Sequence, residues 1–302
     1  MKSTRKAYGE FLATLGEKDE NVVVVDADLA EATQTKIFRD KFPKRHIDVG
    51  ISEQDLVGTA CGLALSGKTV FASSFAMFLA GRAYEQIRNT ACYSNINVNL
   101  CATHSGLGVG EDGATHQCLE DIALMNVLPG MTIFQPADEI STHKILNECL
   151  NIKGPKYIRL GRNDMEDIYD ENSEFKIGKS NVIGNGKDGT IFASGATLSI
   201  ALDAKKDLKE MGKDVRVVDL YSIKPIDEDM IIKCAKETKN LISIEDHSII
   251  GGIGSIISNV LTENYPKKLI KIGVKDKFGK SGNAKELYEL YGITKKAIID
   301  RI

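Results

Sequence analysis

Two histidines, two adjacent acids and four glycines lie together in residues 103–117. The imidazoles of His104 and His116 exchange protons near neutral pH, and the carboxylates of Glu111 and Asp112 accept hydrogen bonds from hydroxyl groups. The glycines let the backbone approach a ligand closely. The segment directly follows a strand-like run, where α/β proteins commonly place their binding loops. We therefore predict a polar site that binds hydroxyl groups and performs acid–base chemistry.

Other interpretations of this segment are less consistent with its residues. Gly108, Gly110 and Gly113 fit the letters of a dinucleotide-binding loop, G-x-G-x-x-G. Glu111 and Asp112 would then lie inside the cradle and repel a pyrophosphate, which excludes that function. A zinc site is disfavoured because the two histidines lack H-x-x-x-H spacing and no third ligand is close in sequence. Each histidine taken singly is also compatible with an ordinary turn or core position.

Candidate residues also precede this segment. Glu53 is predicted at the start of a helix that Ser52 caps, with Asp55 completing a capping box. An acid in that position can simply complement the helix dipole, and the sequence alone leaves this alternative open. Phe75 and Phe78 stand three residues apart in a helix predicted over residues 75–90, where packing in the core is the default interpretation.

Three arginines are further candidates. Arg5, Arg159 and Arg162 can each be a solvated surface charge. Arg162 follows a predicted strand and a glycine, so it can face a site at the carboxyl edge of the sheet.

Strands and helices alternate along the chain. This order predicts two consecutive three-layer α/β/α domains, the first with a mostly parallel sheet and the second with a mostly parallel mixed sheet. The last helix is predicted over residues 283–302. Acidic, glycine-containing sequence interrupts the pattern between the two halves. We expect a first domain over residues 1–165, a linker over 166–188 and a second domain over 189–302.

The composition excludes several classes of partner. The 302 residues carry 39 Lys and Arg against 42 Asp and Glu, a net charge of −3, so we expect no nucleic-acid partner. No run approaches the ~18 apolar residues of a membrane span, and the N-terminus lacks a signal-peptide pattern. We expect a cytoplasmic protein without a membrane partner. The six cysteines form no C-x-x-C pair and are predicted to be small buried residues.

The motifs together resemble the transketolase family, thiamine-diphosphate enzymes that transfer two-carbon ketol units. They cover nearly the whole chain in the family's order. The matching segments are residues 48–54, 74–79, 103–104, 110–117, 136–138, 245–247, 251–254, 278–282 and 291–294. The resemblance implies a thiamine-diphosphate pyrimidine-binding fold for the first domain and a transketolase C-terminal fold for the second. It also implies transferase activity in the pentose phosphate pathway.

One part of the family pattern is missing. The Gly-Asp-Gly motif that binds Mg²⁺ and the cofactor's diphosphate is absent, and the nearest sequence, Lys187-Asp188-Gly189, lies in the predicted linker. The resemblance therefore implies the C-terminal subunit of a split transketolase, inactive alone and without a metal site of its own. An N-terminal partner subunit would hold the diphosphate and the Mg²⁺ or Ca²⁺. Homodimerisation through this chain would give an α2β2 assembly.

The resemblance assigns four residues to thiamine diphosphate. Glu53 matches the glutamate that hydrogen-bonds N1′ of the aminopyrimidine, a contact that needs a protonated carboxyl and hence a desolvated one. Phe78 and Phe75 match aromatic residues that stack on or border the pyrimidine. Asp28 matches an acid at the cofactor pocket. Gly81 stands where single-chain transketolases carry a third aromatic residue.

The resemblance also implies a set of residues that contact sugar phosphates. His104 and His116 match residues that assist proton transfer, and forked guanidinium groups suit a phosphate. Ser105 departs from the Asp that many single-chain transketolases carry at this position. The substrate-binding set is Arg5, His104, Asp112, His116 and Arg162.

Three other functions remain as alternatives. The corresponding half of a deoxyxylulose-phosphate synthase shares the Asp-Gly-x-Thr-His pattern but usually lacks the pair Thr103-His104. The β subunit of a 2-oxo-acid dehydrogenase does not need a loop that binds several hydroxyl groups. A non-catalytic scaffold or regulatory subunit does not need Glu53, Phe78, His104 and His116 together. These residues favour a transketolase.

Overall fold

A computed structural model describes residues 1–302, whose strands form two main sheets and one short ribbon. The strands are β1 (Lys2–Ser3), β2 (Val22–Asp26), β3 (His46–Asp48), β4 (Thr69–Phe75), β5 (Val98–Thr103), β6 (Thr132–Phe134), β7 (Lys156–Arg159), β8 (Asp164–Met165), β9 (Asn181–Ile183), β10 (Gly189–Ala193), β11 (Val215–Asp219), β12 (Ser222–Lys224), β13 (Asn240–Ser248) and β14 (Leu269–Val274). β1 and β8 pair antiparallel as the ribbon.

Helices connect most of these strands. The α-helices are α1 (Thr4–Lys18), α2 (Ala30–Thr33), α3 (Lys36–Lys41), α4 (Glu53–Leu65), α5 (Tyr84–Gln86), α6 (Asp121–Asn126), α7 (Glu139–Asn151), α8 (Thr197–Glu210), α9 (Glu228–Glu237), α10 (Ile253–Asn264), α11 (Ala284–Tyr291) and α12 (Lys295–Ile299). Two π-helical segments, Met77–Arg82 and Ile87–Cys92, flank α5, and 3₁₀ turns occur at Pro43–Arg45 and Leu107–Asp112. No helix is both long and apolar enough to span a membrane.

The first sheet has seven strands in the order β12-β6-β7-β5-β4-β2-β3, all parallel except β12. The continuous valine run of β2 is buried on both faces, as in a parallel sheet covered by helices. Val23 and Val25 belong to one hydrophobic cluster and Val22 and Val24 to another, because alternate side chains point to opposite faces. This arrangement confirms the predicted three-layer first domain.

The second sheet has five strands in the order β14-β13-β10-β11-β9. β9 is antiparallel and the other strands are parallel. Ile191 and Phe192 of β10 pack into separate hydrophobic clusters on the two faces. The mostly parallel mixed sheet predicted for this half of the chain is therefore confirmed.

Two short strands were not expected from the sequence. β9 lies within residues 166–188, the predicted linker, and pairs with β11 of the second sheet. β12 lies within the predicted second domain but pairs antiparallel with β6 at the edge of the first sheet. Each has three residues, too few to show the periodicity by which strands are recognised. The chain therefore crosses between the two sheets again after the acidic connection.

Three local predictions were wrong. Phe75 ends β4 instead of beginning a helix, and the helix predicted to follow it is partly π-helical. Ser52 precedes α4 without a side-chain capping bond, so no capping box forms there. Gly292, with φ of 70°, divides the predicted C-terminal helix into α11 and α12, because a left-handed residue cannot continue a helix. The predicted burial of all six cysteines, which are unpaired, is confirmed.

Candidate active site

The predicted site lies where β4 and β5, which are neighbouring parallel strands, end together. Phe75 is opposite Thr103 in the register, so His104, the first residue after β5, emerges beside the phenylalanine. The rings of Phe75 and His104 stack with centroids 3.9 Å apart. The carboxyl edge of the sheet thus brings together two residues that are 29 positions apart in sequence.

His104 is buried and held from both ring nitrogens. Arg5 Nη1 lies 3.3 Å from Nε2, and Thr103 Oγ1 lies 3.0 Å from Nδ1. Because a guanidinium only donates, Nε2 accepts and Nδ1 carries the proton. Burial lowers the pKa of His104 to about 3, and the charges of Arg5 and Arg162 act in the same direction. His104 is therefore neutral at physiological pH. Its backbone has a φ of 55°, which is uncommon for a residue other than glycine.

The two candidate phosphate-binding arginines are adjacent. Arg5 donates to the carbonyl oxygens of Ala32, at 2.7 Å, and Arg162, at 3.1 Å. Burial lowers the pKa of Arg5, and the nearby charge of Arg162 lowers it further. Arg162 in turn contacts the loop, with Nη1 3.4 Å from Asp112 Oδ2 and 3.7 Å from Glu111 Oε2. An anion placed between the two guanidinium groups would relieve their mutual repulsion.

His116 and Phe78 complete an aromatic cluster. The rings of His116 and Phe78 meet edge to face with centroids 5.2 Å apart. The rings of Phe78 and Phe75 stack with centroids 5.8 Å apart. Thr115 Oγ1 lies 2.9 Å from His116 Nδ1. Both His116 and Phe78 are half-buried, so each keeps part of its ring accessible. The structure therefore brings both predicted histidines and both predicted phenylalanines into one cluster.

Glu53 lies beside the same cluster as the first residue of α4 and is 1% exposed. Its Oε2 accepts a hydrogen bond from Arg82 Nη1 at 2.9 Å. The Arg82 guanidinium also lies over the Phe78 ring, 4.6 Å from its centroid. Sequence reasoning missed Arg82, although its spacing of four residues from Phe78 is typical of side chains that share a helix face.

A cavity of about 660 Å³ opens beside these residues. Phe78 and Arg82 line it from the first half of the chain, and Lys277 and Phe278 line it from the second. Phe278 is 85% exposed, which is unusual for a phenylalanine. Phe78, and the Arg82 side chain that bonds Glu53, therefore line a cleft that both halves of the chain form.

Asp28 is the predicted site residue that makes no side-chain contact with the others. It is exposed just beyond the end of β2, has a φ of 60°, and its backbone N–H donates to Asp48 Oδ1 at 2.9 Å. Asp26, two residues earlier, is buried and accepts hydrogen bonds from Thr33 and Thr35, each at 2.8 Å. Burial raises the pKa of Asp26, against the effect of these hydrogen bonds.

The second half of the chain holds the loop that carries both histidines. Asp246, at the end of β13, accepts the backbone N–H of Leu107 at 2.8 Å and the hydroxyl of Tyr288 at 2.9 Å. Gly106 has a φ of 72°, and a Cβ there would lie 2.1 Å from Asp246 Oδ2. Gln117 Nε2 donates to the carbonyl oxygen of Lys280 at 2.9 Å. Sequence reasoning missed these contacts because they join distant parts of the chain.

Arg159 is a structural residue and not a surface charge. Its side chain is 1% exposed and its Nε donates to both carboxylate oxygens of Asp121, at 2.8 and 3.1 Å. Its Nη2 donates to the backbone oxygen of Asp246 at 3.0 Å. Arg159 thus links the first sheet to the residue that holds the loop.

No group of three or more His, Cys, Asp or Glu side chains is placed to hold a metal ion.

Comparison with known families agrees with this geometry. The family model described as the transketolase pyrimidine binding domain matches residues 1–167, and that of the transketolase C-terminal domain matches residues 178–298. The chain belongs to the transketolase family. Thiamine diphosphate is the cofactor that this family implies.

Its relatives include proteins of similar length and proteins about twice as long. A putative transketolase C-terminal section of Methanocaldococcus jannaschii is 47% identical over 100% of this chain and 95% of its own length. A 6-deoxy-6-sulfo-D-fructose transketolase subunit of a Clostridium species is 36% identical over 98% of this chain and 92% of its own. The transketolase of Rattus norvegicus is 38% identical over 99% of this chain, which spans 48% of that protein.

Solved structures show the same relationship. A structure described as a split gene transketolase, inactive beta4 tetramer, superimposes with a TM-score of 0.93 at 44% identity, covering 100% of this chain and 97% of the other. The transketolase of Campylobacter jejuni superimposes with a TM-score of 0.85 at 23% identity, covering 99% of this chain and 46% of the other, and so shows a shared fold.

Proposed function

We propose that this chain is the C-terminal subunit of a two-subunit transketolase. Together with an N-terminal partner subunit it would transfer a two-carbon ketol unit from a ketose phosphate to an aldose phosphate. The observation that carries the proposal is the buried Glu53 carboxyl group, joined through Arg82 to the half-buried ring of Phe78, which lines an open cavity. A subunit that only supported a partner would not need this arrangement.

The two side chains fit the aminopyrimidine of thiamine diphosphate. Phe78 offers an aromatic face for stacking, with Phe75 behind it, and Glu53 offers a carboxyl group for the ring nitrogen N1′. When bound, the cofactor would supply a nucleophilic thiazolium carbon for chemistry at the ketose carbonyl. Glu53 would hydrogen-bond N1′ from a position that is 1% exposed, where water does not compete for the contact. Asp28 would border the same pocket from the end of β2.

Residues of the loop and the two arginines would bind the sugar phosphate. His104, which is neutral, would bind a hydroxyl group through Nε2 in place of its hydrogen bond with Arg5, without adding charge. His116 and Asp112 would hold further hydroxyl groups and assist proton transfer. Arg5 and Arg162 would receive the phosphate, since their adjacent positive charges favour an anion.

The partner subunit would hold the diphosphate and its Mg²⁺ or Ca²⁺. Two relatives of similar length support a division of the enzyme into subunits, because one is described as a transketolase C-terminal section and the other as a transketolase subunit. A similar structure is described as an inactive beta4 tetramer, which supports self-association of this chain. A homodimer of this chain with two partner subunits would give an α2β2 assembly. Ile51, Leu65 and Tyr93 offer exposed apolar surface on the first half of the chain for such contacts.

Reconstitution tests this proposal. The purified chain should show no ketol transfer from a ketose phosphate to an aldose phosphate. Addition of a transketolase N-terminal subunit, thiamine diphosphate and Mg²⁺ should restore the transfer, and omission of any one of the three should abolish it. Full activity of the chain alone would contradict the two-subunit proposal, and an inactive mixture whose subunits do bind one another would contradict the enzymatic one.

A further inference from the structure

A second cavity, of about 440 Å³, lies between the carboxyl edges of the two sheets. Ser105 and Gln135, which follow β5 and β6, line it from the first sheet. Gly195, which follows β10, and Asp246, near the end of β13, line it from the second. Ligands of α/β proteins commonly bind at such edges. Of the residues proposed for substrate and cofactor only Arg162 borders this cavity, so it is a separate place for a ligand.

Arg159 lines this cavity and has hydrogen-bond donors that the chain does not use. Its side chain is 1% exposed. Its Nε donates to Asp121, and its Nη2 donates to the backbone oxygens of Cys118 and Asp246. Its Nη1 donates to no group of the chain, although every N–H of a guanidinium is a donor. Buried donors without an acceptor are rare, so Nη1 points to a ligand that accepts hydrogen bonds.

Other donors line the same cavity. Ser199 belongs to the first turn of α8, and its backbone N–H has no acceptor in the chain, as is usual in a first turn. The dipole of this helix favours an anion there. Lys285 of α11 also lines the cavity, is exposed, and has an ammonium group that pairs with no carboxylate of the chain. The cavity therefore combines unused N–H donors with an unpaired positive charge.

The acids around the cavity leave this pattern in place. Asp164 and Glu166 are exposed, so water and salt screen their charges. Asp246 is buried, but its carboxylate already accepts two backbone N–H groups and the Tyr288 hydroxyl. The nearby charge of Arg159 compensates the Asp246 carboxylate further. The donors that remain are therefore available to an anion.

We propose that this cavity binds the oxyanion group, phosphate or carboxylate, of a small organic molecule, at a site separate from the cleft that Phe78 lines. Arg159 Nη1, the Ser199 N–H and the Lys285 ammonium would donate to its oxygens. The volume of about 440 Å³ is in the range of small-molecule sites, which leaves room for the organic part. Gly108 of the loop also lines the cavity, so the ligand would join the two halves of the chain behind that loop.

Titration of the purified chain with inorganic phosphate, at an ionic strength held constant with chloride, tests the inference. In NMR spectra, the side-chain N–H signals of Arg159 and the amide signal of Ser199 should shift and saturate. Lys285→Gln should raise the Kd obtained from these shifts by about two- to fivefold, the strength of one exposed ion pair. Ala196→Asp, which adds a negative charge to the cavity wall, should abolish the shifts. Lys268→Gln is the matched control, because Lys268 is exposed and lies outside this cavity.

Three outcomes would overturn the inference. Shifts confined to Arg5 and His104 would show that phosphate binds only at the proposed substrate site. An unchanged Kd in Lys285→Gln would remove the lysine from the site, and equal weakening by Lys285→Gln and Lys268→Gln would show unspecific attraction to surface charge. Thermal melting verifies that each variant is folded, and the exposed Lys285→Gln decides the question if Ala196→Asp is not. Because no thiamine diphosphate, sugar or partner subunit takes part, the result does not depend on the proposed function.

Discussion

Asp246 should anchor the loop of residues 103–117 from the second half of the chain. Its carboxylate is buried and accepts Leu107 N–H at 2.8 Å and Tyr288 O–H at 2.9 Å, with Gly108 N–H at 3.4 Å. Asp246→Ala leaves the two closer donors without a partner. At about 1–3 kcal/mol for each unsatisfied buried donor, the variant should lose about 2–6 kcal/mol of unfolding free energy. Tyr288→Phe removes one hydrogen bond and no acceptor, so it should lose about 1 kcal/mol.

Urea denaturation of the purified chain measures these differences through the transition midpoint and slope. Hydrogen exchange adds a local measurement, because the amide of Leu107 should exchange faster in Asp246→Ala than in Tyr288→Phe. Glu289→Ala is a suitable control, since Glu289 is an exposed acid next to Tyr288. The reasoning is refuted if Asp246→Ala is no less stable than Tyr288→Phe, or if the Leu107 amide exchanges at the wild-type rate.

Two further predictions concern Glu53 and His104. In the reconstituted complex, Glu53→Gln should lower kcat by about 10²–10⁴-fold, the usual contribution of a positioned proton-transfer group, whereas the exposed Asp55→Asn should leave kcat within threefold, roughly; a near-normal kcat for Glu53→Gln would remove this residue from its role. His104 is neutral in the fold with a pKa of about 3, while its unfolded value is 6.5, so the folded state excludes a proton that the unfolded state binds. The stabilisation of the folded chain that comes from a neutral His104 is complete above pH 6.5 and is lost as the pH falls toward 3. The stability advantage of the wild-type chain over His104→Asn, measured by denaturation at successive pH values, should shrink by about 1.4 kcal/mol per pH unit between pH 6 and pH 4. An advantage that does not change with pH would show that His104 binds a proton as readily in the folded chain as in the unfolded chain.

Much of the fold, and the grouping of the candidate histidines and phenylalanines, was predictable because the signals are local. The valine run of β2 and the alternation of strands and helices identify a parallel sheet covered on both faces. A parallel sheet places the ends of its strands at one edge, so Phe75 and His104 meet although neither predicts the other. The resemblance then identified Glu53 and Phe78 by their motifs.

The remainder depends on tertiary contacts that no sequence window contains. Asp246 contacts the loop from the other half of the chain, 139 residues from its partner Leu107, and Tyr288 bonds to Asp246. Arg159 appeared to be a surface charge because its partner Asp121 is 38 residues away. Arg82 was missed for a different reason, since a helical arginine is most often solvated and its link to Glu53 depends on how α4 packs beside the π-helical segment.

The strand β12 has a consequence for how the two halves can be separated. The chain leaves the second sheet after β11, adds three residues to the edge of the first sheet beside β6, and returns to form α9. A fragment ending before this strand would leave β6 with an unpaired edge, the kind of edge along which proteins aggregate. The pairing of β12 with β6 therefore joins the two halves of the chain. They should melt as a single cooperative unit, and the cleft between them should keep its shape instead of opening about a hinge.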